Sequence, residues 1–564
     1  MKKQKGAFKA TLLLSIAGKI QKNKLDKASK NCRKAEEMTL RGILEYAKDT
    51  VWGKEHNYAE ILKAKNYDDL YARWISNVPK CDYEILRPYI DRHKNGEAGV
   101  LFPGKPMMYA TTSGTTKEPK WIPITYEYYN SIYNKMTKLW LYSMIMHRPK
   151  VFWGQIVSIV GKSIEGSAPD GTVYGSVSGV TQKNCPEFVK KLYSAPAAVF
   201  AIADYKARYY TIMRMGIEKN VSLIVTANPS TIVEMQNNVN EFYDDYINDI
   251  ENGTLKADLN IPENIRAEIE PYLKPNPERA RELRALKEKY GNVLPKHYWP
   301  DMQLLNTWYC GNTYVYLEKF RESFPEDMLH MEFSYFSSEC RAGLVMNGKD
   351  DTVLFPHMHF FEFISVDDID NENPKFYRLH ELEVGKRYCI YVSTYAGLYR
   401  YDMNDMIEVT GKYGTIPTIK LIQKTNGIVS MTGEKIHESQ FINAVRVAEK
   451  NTKLKTKFFV GFADLSDSNY HFFYEFDDDG VDDAACQMFT REVDKILHES
   501  NIEYAAKRDS FRVKDPCGHI LCRNSFETYK ARCIDMGARD GQFKLNLLMQ
   551  DDKRYKMFRD LIRN

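Results

Sequence analysis

Residues 112–120 read TSGTTKEPK and combine residue types that can bind phosphate: four hydroxyl side chains, one glycine and two lysines. A glycine lets the backbone approach a ligand closely. Hydroxyls and main-chain amides can surround phosphate oxygens while a lysine neutralises their charge. The spacing differs from the Walker A loop, G-x-x-x-x-G-K-[ST]. Ser, Thr, Gly and Pro are also ordinary turn residues, so the segment alone leaves both a phosphate loop and a surface turn open.

A second cluster of candidate residues is SYFSSECRAGL, residues 334–344, which follows the strand-like segment MLHMEF. Tyr335 or Phe336 could stack on adenine. Glu339 could hold Mg²⁺ that bridges phosphates, because Mg²⁺ prefers hard oxygen ligands. The alternative places both rings in the core and Glu339 at the surface, and the segment alone favours that alternative.

A third cluster ends the segment YVSTYAGLYRYDMND, residues 391–405, where a strand runs into a glycine turn. A carboxylate at such a junction can accept both hydroxyls of a ribose, as acidic residues do in other nucleotide-binding folds. Asp402 and Asp405 both fit that role. A polar β-turn is the alternative, since Asn and Asp are common there.

Two lysines lie further along the chain. Lys424 precedes Thr-Asn-Gly at 425–427, and it could reach a phosphate or ribose while this flexible turn acts as a hinge. An ordinary linker with a solvated lysine is the alternative. Lys544, in GQFKLNLL, alternates with apolar residues, and by itself predicts only a lysine at a strand edge.

Composition limits the class of protein. At 564 residues the chain is too long for one core, and its net charge of +4 gives no sign of nucleic-acid binding. Ten cysteines without a C-x-x-C pair argue for a reducing compartment and against a zinc site or a disulfide scaffold. The first twenty residues predict an amphipathic helix rather than a signal peptide, because Lys9 interrupts the apolar run. We therefore expect a cytoplasmic protein with no nucleic-acid or membrane partner.

Apolar periodicity predicts the elements that position these clusters. Residues 35–48 predict a helix; 221–230, 359–366 and 387–394 predict strands; and the prolines of 77–92 predict short helices joined by turns. The charged segment 256–292 predicts a solvated helical face. Buried strands that alternate with helices indicate an α/β fold for the large domain.

The pattern changes after about residue 424. Segments 457–464 and 469–476 predict a hairpin, and 482–500 predicts a helix that buries one face. The residues assigned to that face are Met488, Phe489, Val493, Ile496 and Leu497. We predict a large domain at 1–424 and a small, mobile α+β domain at 425–564, joined by a hinge near 424–430.

The order of these segments resembles the auxin-responsive Gretchen Hagen family of acyl acid amido synthetases, a branch of the adenylate-forming superfamily, over essentially the full length. The shared pieces include VPKCDYEILRPYIDRHKNGE, TSGTTKEPKWIPIT, YFSSE, EFI at 362–364, EVGKRYCIYVSTYAGLYRYDMND and the closing GQFK. The superfamily's phosphate loop, [ST]-S-G-[ST]-T-G-x-P-K, is matched at eight of nine places, with Lys117 where the pattern has glycine.

The resemblance implies a role for each matching residue. The phosphate loop corresponds to Thr112, Ser113, Gly114, Thr115, Thr116 and Lys120. Tyr335 and Glu339 match a Tyr-x-x-x-Glu motif that contacts adenine and, through the acid, Mg²⁺; Phe336 is a further candidate for adenine. Asp405 corresponds to the ribose-binding aspartate, Lys424 to a hinge position that is usually arginine, and Lys544 to a lysine of the C-terminal domain. Lys120, Glu339 and Lys544 are the predicted catalytic residues.

The chain departs from the family motif YRYRxGD at two positions, where Asp402 and Asn404 replace Arg and Gly. Asn404 should be tolerated, because Asn enters the left-handed region more readily than other non-Gly residues. Lys424 lacks the bidentate fork of arginine, so its phosphate or ribose contact should be looser.

The function that the resemblance implies is an ATP-dependent, Mg²⁺-using ligase, acting as a monomer. It would adenylate a small carboxylic acid and transfer the acyl group to the amine of an amino acid. An acid–CoA ligase with the same first half-reaction and an inactive nucleotide-binding homologue are the alternatives.

Overall fold

The computed structural model describes residues 6–563 apart from 113–119, 228, 310–320, 349, 370, 372, 425–427, 430, 432–433, 435, 465–466, 510–512 and 537–544. The chain divides into two compact units. One comprises Met1–Met403 with Ile407–Lys420, and the other Asn404–Met406 with Leu421–Asn564. Helices and several sheets build both units, so the α/β class predicted from the sequence is confirmed. The domain boundary at 424 stays a prediction.

The helices of the first unit begin at polar caps where the sequence supplies them: the side chains of Asn31, Thr50, Asn66 and Asp82 each accept a backbone N–H of the first turn. They are α1 Ala7–Ser29, α2 Cys32–Ala47, α3 Val51–Glu55, α4 Tyr58–Ile61, α5 Tyr67–Asn77, α6 Tyr83–Lys94, α7 Tyr126–Tyr128, α8 Asn134–His147, α9 Val177–Asn184, α10 Glu187–Lys190, α11 Tyr205–Ile217, α12 Ser230–Glu241, α13 Tyr243–Asn252, α14 Glu263–Ile269, α15 Pro277–Tyr290 and α16 Pro295–Tyr298.

The strands form a parallel sheet, β3-β6-β7-β8, a four-stranded sheet, β2-β1-β5-β4, and a seven-stranded sheet, β12-β11-β13-β14-β15-β10-β9. Their bounds are β1 Met108–Thr112, β2 Lys120–Ile124, β3 Gln155–Ser158, β4 Gly166–Ser167, β5 Val173–Gly175, β6 Val221–Val225, β7 Leu304–Thr307, β8 Leu329–Glu332, β9 Gly343–Val345, β10 Thr352–Leu354, β11 Phe360–Ser365, β12 Phe376–Arg378, β13 Arg387–Ser393, β14 Tyr401–Tyr413 and β15 Ile416–Lys424.

The parallel sheet is covered on both faces, as such sheets require. Ile156, Leu223 and Leu304 face a core that includes residues of α1 and α8. The next residue of each strand belongs to the opposite core, which contains residues of α11, α12, α13 and α15. This alternation explains why the strands read as continuous apolar runs.

Most predicted elements of the first unit are confirmed: β6, β11 and β13 fall within the predicted segments, α2 overlaps the predicted helix but begins three residues earlier, and α1 confirms a helix near the N-terminus. The prediction for 77–92 is wrong in its second half, because α6 runs unbroken through Pro88. Asp82 caps this helix, and its buried residues Leu86 and Ile90 hold it against the core. Tertiary packing therefore outweighs the hydrogen bond that the proline cannot make.

The second unit contains a sheet in the order β20-β19-β18-β21 and a small pair, β16-β17. Its elements are β16 Ile428–Val429, β17 Ile436–His437, α17 Glu438–Thr452, β18 Thr456–Asp464, β19 Asn469–Phe476, α18 Asp483–Ser500, α19 Ile502–Asp509, β20 Cys517–Ile520, α20 Ser525–Asp535, β21 Leu548–Met549 and α21 Asp552–Arg559. The predicted hairpin is confirmed by antiparallel β18 and β19. Helix α18 buries four of the five predicted residues, whereas Met488 is 49% exposed.

A search for membrane spans found none: within the described residues, every helix is too short or too polar to cross a bilayer.

Candidate active site

The stem of the phosphate-loop motif is an antiparallel strand pair. Strands β1 and β2 pair from Met108 with Ile124 to Thr112 with Lys120, so the intervening seven residues begin and end at facing positions. Ser113, Gly114, Thr115 and Thr116 lie outside the described residues, as do Lys117 and the side chain of Thr112. The structure thus establishes where the loop is anchored, and the predicted role of its hydroxyls stays a prediction.

Lys120 is half-buried in aromatic surroundings. Its Nζ lies 3.5 Å from the hydroxyl of Tyr401 and 5.8 Å from the ring centroid of Tyr83. The hydroxyl of Tyr83 is itself fixed, since it accepts the N–H of Trp121 at 2.7 Å. Lys120 forms no ion pair with any described residue. Its charge is therefore held in place by neutral groups and can neutralise an anionic ligand.

Glu339 lies at the tip of a tight loop between β8 and β9. Phe336 and Arg341 pair as an isolated antiparallel bridge, and inside it the N–H of Ser337 donates to the carbonyl of Cys340 at 2.9 Å. The N–H of Cys340 donates to the Ser337 hydroxyl at 3.1 Å. Glu339 is half-buried and, among the described residues, has no cationic partner. The loop thus presents one carboxylate whose charge is not neutralised within the described chain.

The hydroxyl of Tyr401 is a neutral neighbour of Lys120. Burial raises its pKa well above the usual value, and the nearby charges of Glu339 and Tyr83 raise it further. The hydroxyl therefore stays protonated, and the Lys120 Nζ lies 3.5 Å from it. Segments that lie far apart in the sequence thus bring a cation and a neutral hydroxyl together.

The aromatic pair of the YFSSE segment is buried. Phe336 packs against Trp140 and Phe333 at 6.0 and 5.5 Å between ring centroids, and the Arg341 guanidinium lies 4.6 Å from its ring. The carbonyl of Tyr335 accepts the N–H of Ala342. The structure places Phe336 in a packed cluster, and adenine binding by either ring stays a prediction.

The YRYDMND segment contains two non-glycine residues in the left-handed region, Arg400 with φ 45° and Asn404 with φ 54°. The expectation that Asn404 can replace a glycine there is confirmed. The Asp402 carboxylate accepts a hydrogen bond from the Tyr391 hydroxyl at 3.3 Å. Asp405 is buried on β14. The sequence left these two aspartates open for the ribose, and the family assignment to Asp405 stays a prediction.

A buried ion pair that sequence reasoning missed holds Arg400. Its Nε lies 3.1 Å from both carboxylate oxygens of Glu362, and its Nη1 donates to the carbonyl of Val78 at 2.8 Å. Glu362 also accepts from the Tyr71 hydroxyl and the Trp74 indole N–H, at 3.2 and 3.1 Å. The only hint of Glu362 in the sequence was the shared segment EFI at 362–364, which gives no indication of its partner. Because Arg400 directly precedes Tyr401, this network fixes the backbone that carries the Tyr401 hydroxyl.

The structure describes less of the remaining predicted site residues, Lys424 and Lys544. Lys424 ends β15 and its side chain is outside the described residues, as is the whole of Lys544. Within the described chain, no group of three or more His, Cys, Asp or Glu side chains could hold a metal. Mg²⁺ is commonly held by one or two carboxylates together with substrate phosphates, so a lone half-buried Glu339 fits such an ion.

Comparison with known proteins defines the class. The structure of GH3.15 acyl acid amido synthetase superposes with a TM-score of 0.82 at 20% identity, covering 96% of this chain and 95% of that one. A 2-hydroxyisobutyryl-CoA ligase in the postadenylation state superposes with a TM-score of 0.52 at 11% identity, covering 93% and 91%. The fold is therefore that of the adenylate-forming enzymes.

The chain belongs to the GH3 family. Its residues 21–329, 352–424 and 439–553 match the GH3 family N-terminal, central and C-terminal domains. Similar proteins include a jasmonoyl–L-amino acid synthetase of Nicotiana attenuata, 24% identical over 92% of this chain and 91% of that protein. An indole-3-acetic acid-amido synthetase of Arabidopsis thaliana is 24% identical over 83% and 84%. The resemblance read from the sequence motifs is confirmed.

Proposed function

We propose that this protein is an ATP-dependent ligase that joins a small carboxylic acid to the amine of an amino acid through an acyl-adenylate. The observation that carries the proposal is the half-buried Lys120 ammonium, which forms no ion pair with the described residues and lies 3.5 Å from the Tyr401 hydroxyl, at the stem of the loop between β1 and β2. Membership of the GH3 family, whose similar members carry the names of amido synthetases, supports the same reaction.

In the first half-reaction, a carboxylate oxygen of the acid attacks the α-phosphorus of ATP. The bond to the β-phosphate oxygen breaks, and pyrophosphate leaves with the electron pair. Lys120 would neutralise the phosphate charge as that charge moves onto the leaving group. Glu339 is the residue that would hold Mg²⁺, which supplies further neutralisation of the phosphates when bound.

In the second half-reaction, the amine of the acceptor attacks the acyl carbonyl and AMP leaves from the tetrahedral intermediate. The amine loses one proton when the amide forms. Neither step requires a covalent bond to the protein, so positioning and charge neutralisation account for catalysis.

The other predicted residues take the following proposed roles. The hydroxyls of Thr112, Ser113, Thr115 and Thr116, with Gly114, would surround the phosphates; Tyr335 would contact adenine, with Phe336 packing beneath the loop; and Asp405 would accept the ribose hydroxyls. The small domain would turn about residues 424–430 between the half-reactions, with Lys424 at the hinge and Lys544 brought to the phosphates for adenylation.

We further propose a monomer in a reducing, cytoplasmic compartment. The nine described cysteines are all free, which supports that compartment.

The experiment is an incubation of the protein with Mg-ATP, a panel of small carboxylic acids, and either an amino-acid mixture or coenzyme A. Pyrophosphate release would be followed and the products identified by mass spectrometry. We expect acid-dependent pyrophosphate release and an amide product. A thioester would establish the acid–CoA ligase, and no release with any acid would favour the inactive nucleotide-binding homologue.

A further inference from the structure

Helix α1 presents an apolar stripe to solvent. Phe8, Leu12, Ile16 and Ile20 follow one another at four-residue spacing and are 65%, 48%, 55% and 51% exposed, with Leu13 beside them. Residues three or four apart lie on one face of a helix, so these side chains form a continuous surface. Scattered single apolar residues are normal on a protein surface, whereas a contiguous apolar row indicates an interaction site.

The opposite face of α1 is already packed. Ala10 and Leu14 belong to the core on one side of the parallel sheet. Gly18 lies so close to α8 that a Cβ there would come within 2.1 Å of the Cβ of Tyr142. The helix is therefore held firmly by its own unit, and the stripe is presented on a rigid support.

A shallow groove extends the stripe toward the end of α8. It encloses about 420 Å³, and its lining side chains are mainly apolar. The lining residues are Ser15, Ile16, Lys19, Tyr142, Ile145, Met146 and Pro149. Ile16 belongs to both the stripe and the groove, so the two form one surface, which we call the α1 face.

The charge of this region determines the kind of partner. The first thirty residues contain nine lysines and one aspartate, a net charge of +8, so the other 534 residues carry −4 to give the chain's total of +4. The aspartate, Asp26, is already paired with Lys22 at 2.7 Å. Lys9, Lys19, Lys24 and Lys27 are exposed on α1. Within the part of the chain that the structure describes, these four lysines form no ion pair. An apolar row among such lysines is complementary to a lipid surface with an apolar interior and anionic headgroups.

We infer that the α1 face docks the protein on an anionic phospholipid bilayer, with the apolar stripe at the boundary of headgroups and acyl chains and the lysines near lipid phosphates. This replaces the expectation of no membrane partner with peripheral binding, and it requires no spanning helix. A second copy of the chain would fit less well, because a symmetric contact would bring the lysines of two α1 helices together.

The test is flotation of the full chain with vesicles of phosphatidylcholine alone and of phosphatidylcholine with about 30 mol % phosphatidylglycerol. We expect binding to the anionic vesicles only, weakened by salt of about 1 M because screening then acts within about 3 Å. Phe8→Ser with Ile16→Ser should lower the partition coefficient at least about tenfold. Lys9→Glu with Lys19→Glu should lower it by about fivefold or more for each lysine.

The control variants are Val384→Ser, an apolar residue of similar exposure elsewhere on the first unit, and Lys495→Glu on the second unit; both should bind as the wild type does. Circular dichroism melting would confirm that all variants fold. Failure of the wild type to bind anionic vesicles, or equal binding by the Phe8/Ile16 variant, would overturn the inference. A wild-type dimer in sedimentation that the same variant converts to monomer would also overturn it and identify a second copy as the occupant.

Discussion

Two sets of charged residues in the first unit have opposite environments. Arg400 and Glu362 are paired, with side chains only 5% and 1% exposed, and their remaining hydrogen-bonding groups find partners in Val78, Tyr71 and Trp74. Lys120 and Glu339 are half-buried and form no ion pair with the described residues. The contrast indicates how the unit divides its charges: those that hold the scaffold are neutralised internally, whereas those proposed to meet the ligand have no ion-pair partner among the described residues.

The largest effect is expected from breaking the buried pair. Arg400→Met should lower the free energy of unfolding by about 3–5 kcal/mol, because it leaves the Glu362 carboxylate buried without its counter-charge. Urea denaturation would measure the loss. The double variant Arg400→Met with Glu362→Gln should recover part of it, since the neutral amide tolerates burial better. A single variant as stable as the wild type would contradict the distinction between the two sets.

The next effect concerns activity. Lys120→Ala and Glu339→Ala should each lower acid-dependent pyrophosphate release by about 10²–10³-fold, the usual cost of removing one charge-stabilising group. Their melting temperatures should stay close to that of the wild type, because neither charge has an ion-pair partner to lose among the described residues. Lys80→Ala, an exposed lysine of the same unit, is the matched control and should be fully active. If Lys120→Ala lost stability and kept its activity, Lys120 would have a structural role like that of Arg400 and Glu362.

Two histidines of the first unit, His357 and His359, are kept neutral. Burial lowers the pKa of His357 to about 4 and that of His359 to about 3. In the unfolded chain these groups titrate near 6.5, so below that pH only the unfolded state takes up the protons. Stability should therefore be complete above pH 6.5 and fall as the pH drops toward 4, by up to about 3 kcal/mol for His357 alone.

Thermal melting between pH 4.5 and 8 would follow this loss, and His357→Leu provides the comparison. Neither ring nitrogen of His357 has a hydrogen-bond partner among the described residues, so this substitution removes no contact of that kind. The variant should have a flatter pH profile. A profile as steep as that of the wild type would show that other groups cause the acid instability.

Tyr401→Phe tests the hydroxyl that lies 3.5 Å from the Lys120 ammonium. Only one oxygen is removed, so we expect about a tenfold loss in kcat/KM for pyrophosphate release and little change in stability. Phe is the conservative variant, and Tyr401→Ala would add a cavity and a loss of stability. Full activity of the Phe variant would show that Lys120 needs no contact from Tyr401.

The smallest effect is expected at an exposed ion pair. Lys63 and Glu60 lie 2.6 Å apart with side chains that are 66% and 64% exposed. Solvent screens such pairs, so Lys63→Ala should leave the urea midpoint unchanged within error. A measurable loss of stability would mean that exposed charges also stabilise the fold. Burial would then not distinguish the stabilising charges from the others.

Much of the fold follows from local pattern. The hairpin of β18 and β19, helix α18 and strands β6, β11 and β13 all have the apolar periodicity of their elements, which is a property of short segments. The two errors arise where packing decides. Pro88 is accommodated because its helix is capped and buried on one side, and Met488 lies at the edge of an apolar face whose centre the neighbouring residues occupy.

The sequence predicts the motif residues of the candidate site but not the residues that contact them. The matching motifs predict Lys120, Glu339 and the YRYDMND turn as site residues, because each is contained in one short segment. The partners that hold them come from elsewhere in the chain: Tyr83 from α6, Glu362 from β11 and the carbonyl of Val78 from the turn before α6. Such contacts depend on tertiary structure, and a single sequence carries no periodicity that pairs residues so far apart.

The facing positions of Thr112 and Lys120 also determine how this enzyme can change over generations or in the laboratory. Substitutions, and even changes of length, between the two strands alter the loop while Lys120 keeps its place in β2. A single deletion within β2 would instead turn every following side chain to the other face of the sheet. Changes within 113–119 therefore leave the strand pair in register, so a library built to test the proposed phosphate contacts should randomise that segment and leave both strands untouched.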